Sequence, residues 1–444
     1  MNALQLLAKY DIPGPRYTSY PTVPYWGAAP TGEQWFSHLE RAIAKQRAGA
    51  LYVHIPFCRS LCHYCGCNTV ITRDVSVSDP YVESVLAEWK LYVQRLGRIR
   101  LAEIHLGGGT PTYLTAAQLQ RLMSGILEHV DLEPGAELGF EADPRVASRD
   151  QLEVLAKLGF KRLSLGIQDF DPAVQFAVNR PQSVEEVRVV TEVARELGYD
   201  SINFDLIYGL PKQTPEGIER TVKEVRALAP DRLAFYGYAH VPWMKTFQRK
   251  FEDADVPAGA AKRSLYELGR GLLLEAGYRE IGLDHFALPT DGLWRAFSEK
   301  RMHRNFMGYT EHETMPLFAL GVSAIGDTWT AYAQNEKAVA PWAAAIARGE
   351  LPIVKGHLLD DEDLLLRRHI LEVMTRFETR WEPGTLMQVG PRLRELANDG
   401  LIELTASSVA VTDAGKPFVR NVCMAFDERL ARKAPDKQLF SRTV

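Results

Sequence analysis

Four of the five cysteines in this 444-residue chain fall within ten residues, in the run Cys58-Arg-Ser-Leu-Cys62-His-Tyr-Cys65-Gly-Cys67. They sit a few residues past an apolar stretch, Leu51–Ile55, so the fold must present a loop of thiols at the end of that stretch. A three-residue gap followed by a two-residue gap suits a [4Fe–4S] cube on three thiolates, which leaves one iron open to a ligand that is not protein. A structural zinc site would want two separated pairs giving four tetrahedral ligands. A redox dithiol is the third reading. Cys423, far from the run, reads as a small buried hydrophobe.

From Leu51 onward, short apolar runs alternate with amphipathic helical stretches. The pattern predicts strands over Leu51–Ile55, Ala102–Leu106, Glu137–Glu141, Arg162–Gln168, Ser201–Leu206 and Arg232–Tyr238. Val82, Val85, Leu86, Trp89, Val93 and Leu96 recur at helical spacing. A second helix opens on the capping pair Ser183 and Glu186 and stops at Gly198, and a third takes Thr214 as cap and Pro215 in its first turn. Six β/α repeats predict parallel strands with crossover helices, an α/β fold. Six rather than eight favours a partial TIM-like (β/α)6 barrel, open on one side.

Polar residues mark one end of these strands. Glu141, Gln168 and Asp205 lie at or beside predicted carboxyl ends, where parallel barrels keep their active sites. Tyr52 and His54 share one face of the first strand. Gly107-Gly-Gly-Thr-Pro-Thr112 follows the second strand, and its glycines let backbone amides approach a carboxylate or phosphate. No Gly-Lys-Ser/Thr follows, so it is not a P-loop. Beside an open iron the natural ligand is an amino acid moiety.

Three segments are expected: 1–50, an N-terminal arm and lead-in helix; 51–350, the barrel; and 351–444, a mainly helical C-terminal domain. The Pro- and Tyr-rich stretch Ile12–Pro21 cannot form a regular helix, and its aromatics disfavour a solvated linker. Beyond about Lys355, helices over Glu362–Arg376 and Gly384–Asn398 precede strands over Leu401–Thr405 and Val409–Thr412, a winged-helix-like order. Such a unit often binds DNA, but basic and acidic residues nearly balance across it and the net charge is −4, so no nucleic-acid partner is expected. No export signal is visible, and the longest apolar stretch, Met315–Gly326, is too short to span a bilayer. A cytoplasmic monomer without a membrane partner is the expectation.

Cys-x3-Cys-x2-Cys followed by Gly-Gly-Gly-Thr-Pro resembles the radical S-adenosylmethionine (SAM) superfamily, and within it the oxygen-independent coproporphyrinogen III oxidases of HemN type. The resemblance also rests on Pro15-Arg-Tyr-Thr-Ser-Tyr-Pro21, Tyr52–Cys58, Cys65-Gly-Cys67, Phe140-Glu-Ala-Asp-Pro144 and Leu165–Phe170. It continues through Asn179-Arg-Pro181, Phe204–Pro211 and His303–Tyr309, covering most of the chain with the C-terminal domain weakest.

The resemblance implies that Cys58, Cys62 and Cys65 hold a [4Fe–4S] cluster. It implies a first SAM on the open iron, contacted by Tyr52, Gly108, Glu141 and Ile325. A second SAM would touch Tyr64, Gly109, Thr110, Gln168, Arg180, Asp205 and Ala239. Tyr52, Glu141 and Cys67 are the expected catalytic residues. The implied reaction converts two propionates of coproporphyrinogen III to vinyl groups, giving protoporphyrinogen IX for haem biosynthesis. A 5′-deoxyadenosyl radical takes a β-hydrogen, and CO2 and one electron then leave. An electron donor such as flavodoxin or ferredoxin is implied too.

Four propionates need cations, and Arg16, Lys245 and Arg304 are the candidates. Cys67 is not expected as a fourth cluster ligand, because it would close the iron that SAM needs. Haem chaperones of HemW type and radical SAM haem-degrading enzymes tend to lack both this cysteine and the Pro-Arg-Tyr-Thr-Ser-Tyr-Pro arm. Met307 departs from the better-known members, which carry Gln there. A haem chaperone, another porphyrin-acting radical SAM protein and a DNA-binding cluster sensor are the alternatives.

Overall fold

The computed structural model describes residues 2–45, 48–433, 435 and 438–443; of the expected segments, Met1, Gln46, Arg47, Ala434, Asp436, Lys437 and Val444 lie outside the described residues. The six expected strands form as β1 (Gly49–Ile55), β2 (Ile99–Gly108), β3 (Val130–Ala142), β4 (Arg162–Gln168), β5 (Ser201–Tyr208) and β6 (Arg232–Gly237). They pair in parallel in that order. Apolar residues on their outward faces, Val53, Ile104, Phe140, Leu163 and Phe204, are fully buried in one core with Trp89, Leu122, Leu155, Val187 and Val222 of the crossover helices. Truncating Phe140 to Ala would cost about 3–5 kcal/mol through lost transfer and cavity terms.

The crossover helices begin where local chemistry dictates. Ser183 and Glu186 close a capping box at Val184–Glu196, and Thr115 with Gln118 and Ser148 with Gln151 do the same for Ala116–Leu127 and Arg149–Lys157. Thr214 caps Pro215–Leu228, with Pro215 in its first turn. Each box supplies acceptors for backbone N–H groups that the first turn leaves orphaned.

The sheet is wider than the six repeats. After β7 (Arg279–Gly282) and β8 (His285–Ala287), the chain crosses to the other edge and adds β9 (Leu317–Leu320), β10 (Ile325–Asp327), β11 (Ala331–Asn335) and β12 (Ile353–Leu358). The order is β12-β11-β10-β9-β1-β2-β3-β4-β5-β6-β8-β7. β9 pairs with β1 in parallel, a seventh parallel strand that the sequence pattern did not reveal, and the strands beyond each edge are antiparallel. β12 lies past residue 350. β5 also runs on to Tyr208, so Asp205 sits mid-strand rather than at the carboxyl end.

In the C-terminal part, the helix Asp361–Arg376 forms as expected, but the next starts at Gly390, after a 3-10 turn over Met387–Val389. Ile402–Leu404 and Ser408–Val411 pair as a hairpin, and Glu378–Arg380 adds a third strand. A further helix, Val419–Phe426, is buried along most of its length. Tyr10, Tyr17 and Tyr20 of the arm share a core with Ile370, Val422 and Phe426. Tyr17 Oη donates to Asp427 at 3.0 Å, and Trp26 stacks on Tyr332 at 5.1 Å. Two buried tyrosines, Tyr17 and Tyr20, make the Pro-rich stretch part of a packed core rather than a linker.

Candidate functional site

The cysteine loop is anchored at both ends by backbone pairing. Phe57–Cys58 lies parallel to Val70–Ile71, and Gly109 N–H donates to Ile55 O at 2.8 Å. In its middle, His63 N–H donates to Val178 O at 2.9 Å and Asn179 Nδ2 donates to Leu61 O at 2.8 Å. Asn179 takes a left-handed φ of 55°, a conformation Asn tolerates, and so turns Arg180 toward the thiols.

Cys58, Cys62, Cys65 and Cys67 all line one cavity of about 740 Å³ at the carboxyl ends of β2, β3 and β4. Tyr64, Gly108, Gly109, Thr110, Glu141, Gln168, Arg180 and Asp205 line the same cavity. Of the residues expected at the cluster and SAM, all but three therefore meet on one cavity, while the expected propionate partners Arg16, Lys245 and Arg304 do not line it. Tyr52 lies against Gly107, with its hydroxyl 3.0 Å from His54 Nδ1 and its ring stacked on His105. Ala239 follows β6 and its carbonyl accepts from Gln248 Nε2 at 3.2 Å, and Ile325 opens β10 opposite Gln334.

The glycine loop is built for close approach. A Cβ on Gly109 would stand 2.5 Å from Pro56 O and 3.0 Å from Cys58 Sγ, and one on Gly107 would meet Tyr52 at 2.9 Å and Glu141 Oε1 at 3.0 Å. Gly108 has φ 118°, a region open to glycine. Its N–H donates to Glu141 Oε2 at 3.2 Å, fixing the carboxylate at the cavity wall. Gln168 ends β4 with φ 70°, strain that a bulky residue rarely carries and that concentrates at functional sites.

The electrostatics divide the cavity. Burial, followed by the nearby Glu141, pushes the Asp205 carboxyl up to about 6, while Asn203 Nδ2 and Ser164 Oγ donate to it at 2.9 and 3.2 Å. Burial also raises the Cys58 thiol to about 11, its sulfur 3.3 Å from Thr110 Oγ1. Cys65 is held low, chiefly by a hydrogen bond from the Cys67 thiol. Arg180 reaches Gly166 O at 2.6 Å, Asp143 at 3.3 Å and Cys62 Sγ at 3.5 Å, leaving its buried Nε without an acceptor.

Asp143, Arg145 and Tyr236 also line the cavity. Asp143, held low by Arg180 and Arg145 against its burial, and Arg145 form an ion pair at 2.6 Å that sequence reasoning missed. Their place two and four residues past Glu141 was the available signal. A smaller cavity of about 100 Å³ inside the barrel shares Glu141 and Asp205 and takes Met307 into its wall. Among the described residues, no three of His, Cys, Asp and Glu close on a single ion. No helix among them is long and apolar enough to cross a membrane.

Residues 52–225 match the Radical SAM superfamily model. The chain is 41% identical to the oxygen-independent coproporphyrinogen III oxidase of Pseudomonas aeruginosa, over 99% of this chain and 98% of that one. It is 40% identical to the Escherichia coli protein of the same name, again over 99% and 98%. This chain belongs to the family of oxygen-independent coproporphyrinogen III oxidases. A solved structure described as coproporphyrinogen III oxidase (HemN) from Escherichia coli, a radical SAM enzyme, superposes with TM-score 0.87 at 39% identity, over 94% of this chain and 98% of that one. The chain is thus a radical SAM oxidoreductase whose cofactors are a [4Fe–4S] cluster and SAM. The residues present fit that pair: thiols spread around one cavity wall, a glycine cradle that a Cβ would fill, and a buried guanidinium nitrogen awaiting an acceptor.

Proposed function

We propose that this chain carries out the oxygen-independent oxidative decarboxylation of two propionates of coproporphyrinogen III, giving protoporphyrinogen IX. The observation that carries the reading is the meeting of the four thiols, the glycine loop, Glu141, Gln168, Arg180 and Asp205 on one cavity. When bound, the cluster and SAM supply one-electron chemistry. Each propionate loses one hydrogen atom, CO2 and one electron to become vinyl.

The protein's share is binding, orientation and exclusion of water. Cys58, Cys62 and Cys65 would hold the cluster, with Cys67 left beside it as a thiol. Tyr52, Gly108, Glu141 and Ile325 would bind the first SAM. Tyr64, Gly109, Thr110, Gln168, Arg180, Asp205 and Ala239 would bind a second. Glu141 and Asp205 can accept from an ammonium or ribose hydroxyl, and Arg180 Nε can donate to a carboxylate. The functional division is an arm (1–50), a barrel (51–350) and a C-terminal cover (351–444), working as a cytoplasmic monomer fed by a flavodoxin- or ferredoxin-like donor.

Anaerobic reconstitution with iron and sulfide, followed by assay with SAM, tests the reading. It requires 5′-deoxyadenosine together with CO2 from coproporphyrinogen III. Deoxyadenosine release without decarboxylation would remove the substrate assignment. Haem binding without turnover would point to a haem carrier.

A further inference from the structure

A second cavity, of about 460 Å³, opens where the arm, the barrel and the C-terminal part meet. It adjoins the thiol-lined cavity at the carboxyl end of β6. Tyr236 faces the thiols, whereas Gly237 and Tyr238, the next residues, line the second cavity. Arg16 stands between the two: its guanidinium is 5.9 Å from the Tyr236 ring centre, donates to Gly237 O at 3.0 Å and lies 3.6 Å from the Asp284 carboxylate.

The wall of this second cavity is cationic. Some of its charges are answered locally: Arg263 pairs with Glu267, Arg270 with Glu280 at 2.8 Å, and Lys416 with Asp413 at 2.7 Å. Arg420 spends its guanidinium on carbonyls of Gly14, Pro15, Arg442 and Thr443. Lys262 has no carboxylate partner among the described residues. Its ammonium donates to Tyr238 O at 3.3 Å and lies 5.5 Å from the Tyr208 ring centre. Burial, then Arg16, lowers its pKa to about 8. A half-buried ammonium that feels Arg16, Arg420 and Arg442 against Asp11, with no carboxylate paired to it among the described residues, is an unfavourable arrangement that a bound anion would relieve.

We propose that this cavity is a carboxylate-binding subsite in which Lys262, with Arg16 at its mouth, takes a propionate of the substrate that is not the one reacting. The proposal rests on the porphyrinogen reading above, and it gives that reading a cation on the far side of Tyr236, where Lys262 meets the carbonyl of Tyr238. In the thiol-lined cavity Arg180 and Arg145 are engaged with Asp143, while Arg59 and Arg73 sit on the cysteine-loop wall. A tetrapyrrole presenting its reacting side chain past Tyr236 would carry others outward past Arg16.

Fluorescence titration of the reconstituted enzyme with coproporphyrin III, the stable oxidised form of the substrate, tests the proposal. Lys262→Met keeps the stem and removes the charge. It is expected to weaken binding at least tenfold, and Lys262→Arg to restore most of it. The affinity of SAM and the melting temperature of Lys262→Met should stay near those of the parent. Citrate, a free polycarboxylate, should compete with the porphyrin in the parent and lose that effect in Lys262→Met. Equal coproporphyrin binding by parent and Lys262→Met overturns the subsite while leaving the porphyrinogen reading intact. So does citrate binding that depends on Lys262 with porphyrin binding that does not. A parent enzyme that binds no coproporphyrin takes down both.

Discussion

Cys65 and Cys67 are two residues apart and share a hydrogen bond, yet the proposed chemistry gives them opposite parts. Replacing Cys58, Cys62 or Cys65 with Ser should abolish the iron–sulfur absorbance of the reconstituted protein. Cys67→Ser should keep about four irons per chain, the content of one cube, while changing turnover. Iron and sulfide analysis separates the two, and loss of iron in Cys67→Ser would make it a ligand after all. Glu141→Gln should raise the KM for SAM about tenfold, since an amide answers an ammonium less well than a carboxylate does. At this scale the sequence was most legible where residue type and spacing carry the chemistry, as in the thiols and the glycine loop. Lys262 was invisible, because a lysine in a helix pattern reads as solvated surface until the arm and tail are seen to cover it.

The strands of the six repeats were readable because each is a short apolar run bounded by a capped helix. β9 was not: Leu317–Leu320 sits inside a longer apolar stretch, where nothing in the period separates a strand from its turns. β10 and β11, Ile325–Asp327 and Ala331–Asn335, are short and carry Gly, Ala, Asp and Asn, which are weak strand formers. The helix expected from Gly384 starts later because Gly384 itself takes φ 87°, a value no helix interior holds. Among the elements, the arm offers the sharpest test. Arg420→Met would leave the carbonyls of Gly14, Pro15, Arg442 and Thr443 without their donor, a loss of about 2–4 kcal/mol. A lower denaturation midpoint, with earlier proteolysis before Tyr20, is the expected result.

For the molecule as a whole, buried titratable groups set the pH range of stability. His303 and His369 are kept neutral by burial, their pKa values lowered to about 3 and about 4. The unfolded chain takes up protons on both below about 6.5 while the fold does not, so stability falls as pH drops from there toward 4. Glu88 moves the other way. Burial raises it to about 8, even though Gly321 N–H, Asn335 Nδ2 and Trp342 Nε1 all donate to it. The fold therefore holds its proton above the pH at which the unfolded chain releases it, and stability falls as pH rises from about 4.5 toward 8. Thermal melts of the cluster-free protein across this range should show both limbs, each group contributing up to about 1.4 kcal/mol per pH unit. His303→Gln should flatten the acid limb and Glu88→Gln the alkaline one; unchanged slopes would show that other groups govern the range.

Arg420 also makes near neighbours of two stretches more than 400 residues apart along the chain. Gly14 N–H donates to Ser441 O at 3.0 Å, Pro13 bridges to Arg442, and one guanidinium binds both strands of this seam. A purification handle or a short deletion near residue 440 would thus be felt at Arg16, beside the mouth of the barrel. Such changes belong among perturbations of substrate entry, however remote they look in a linear map.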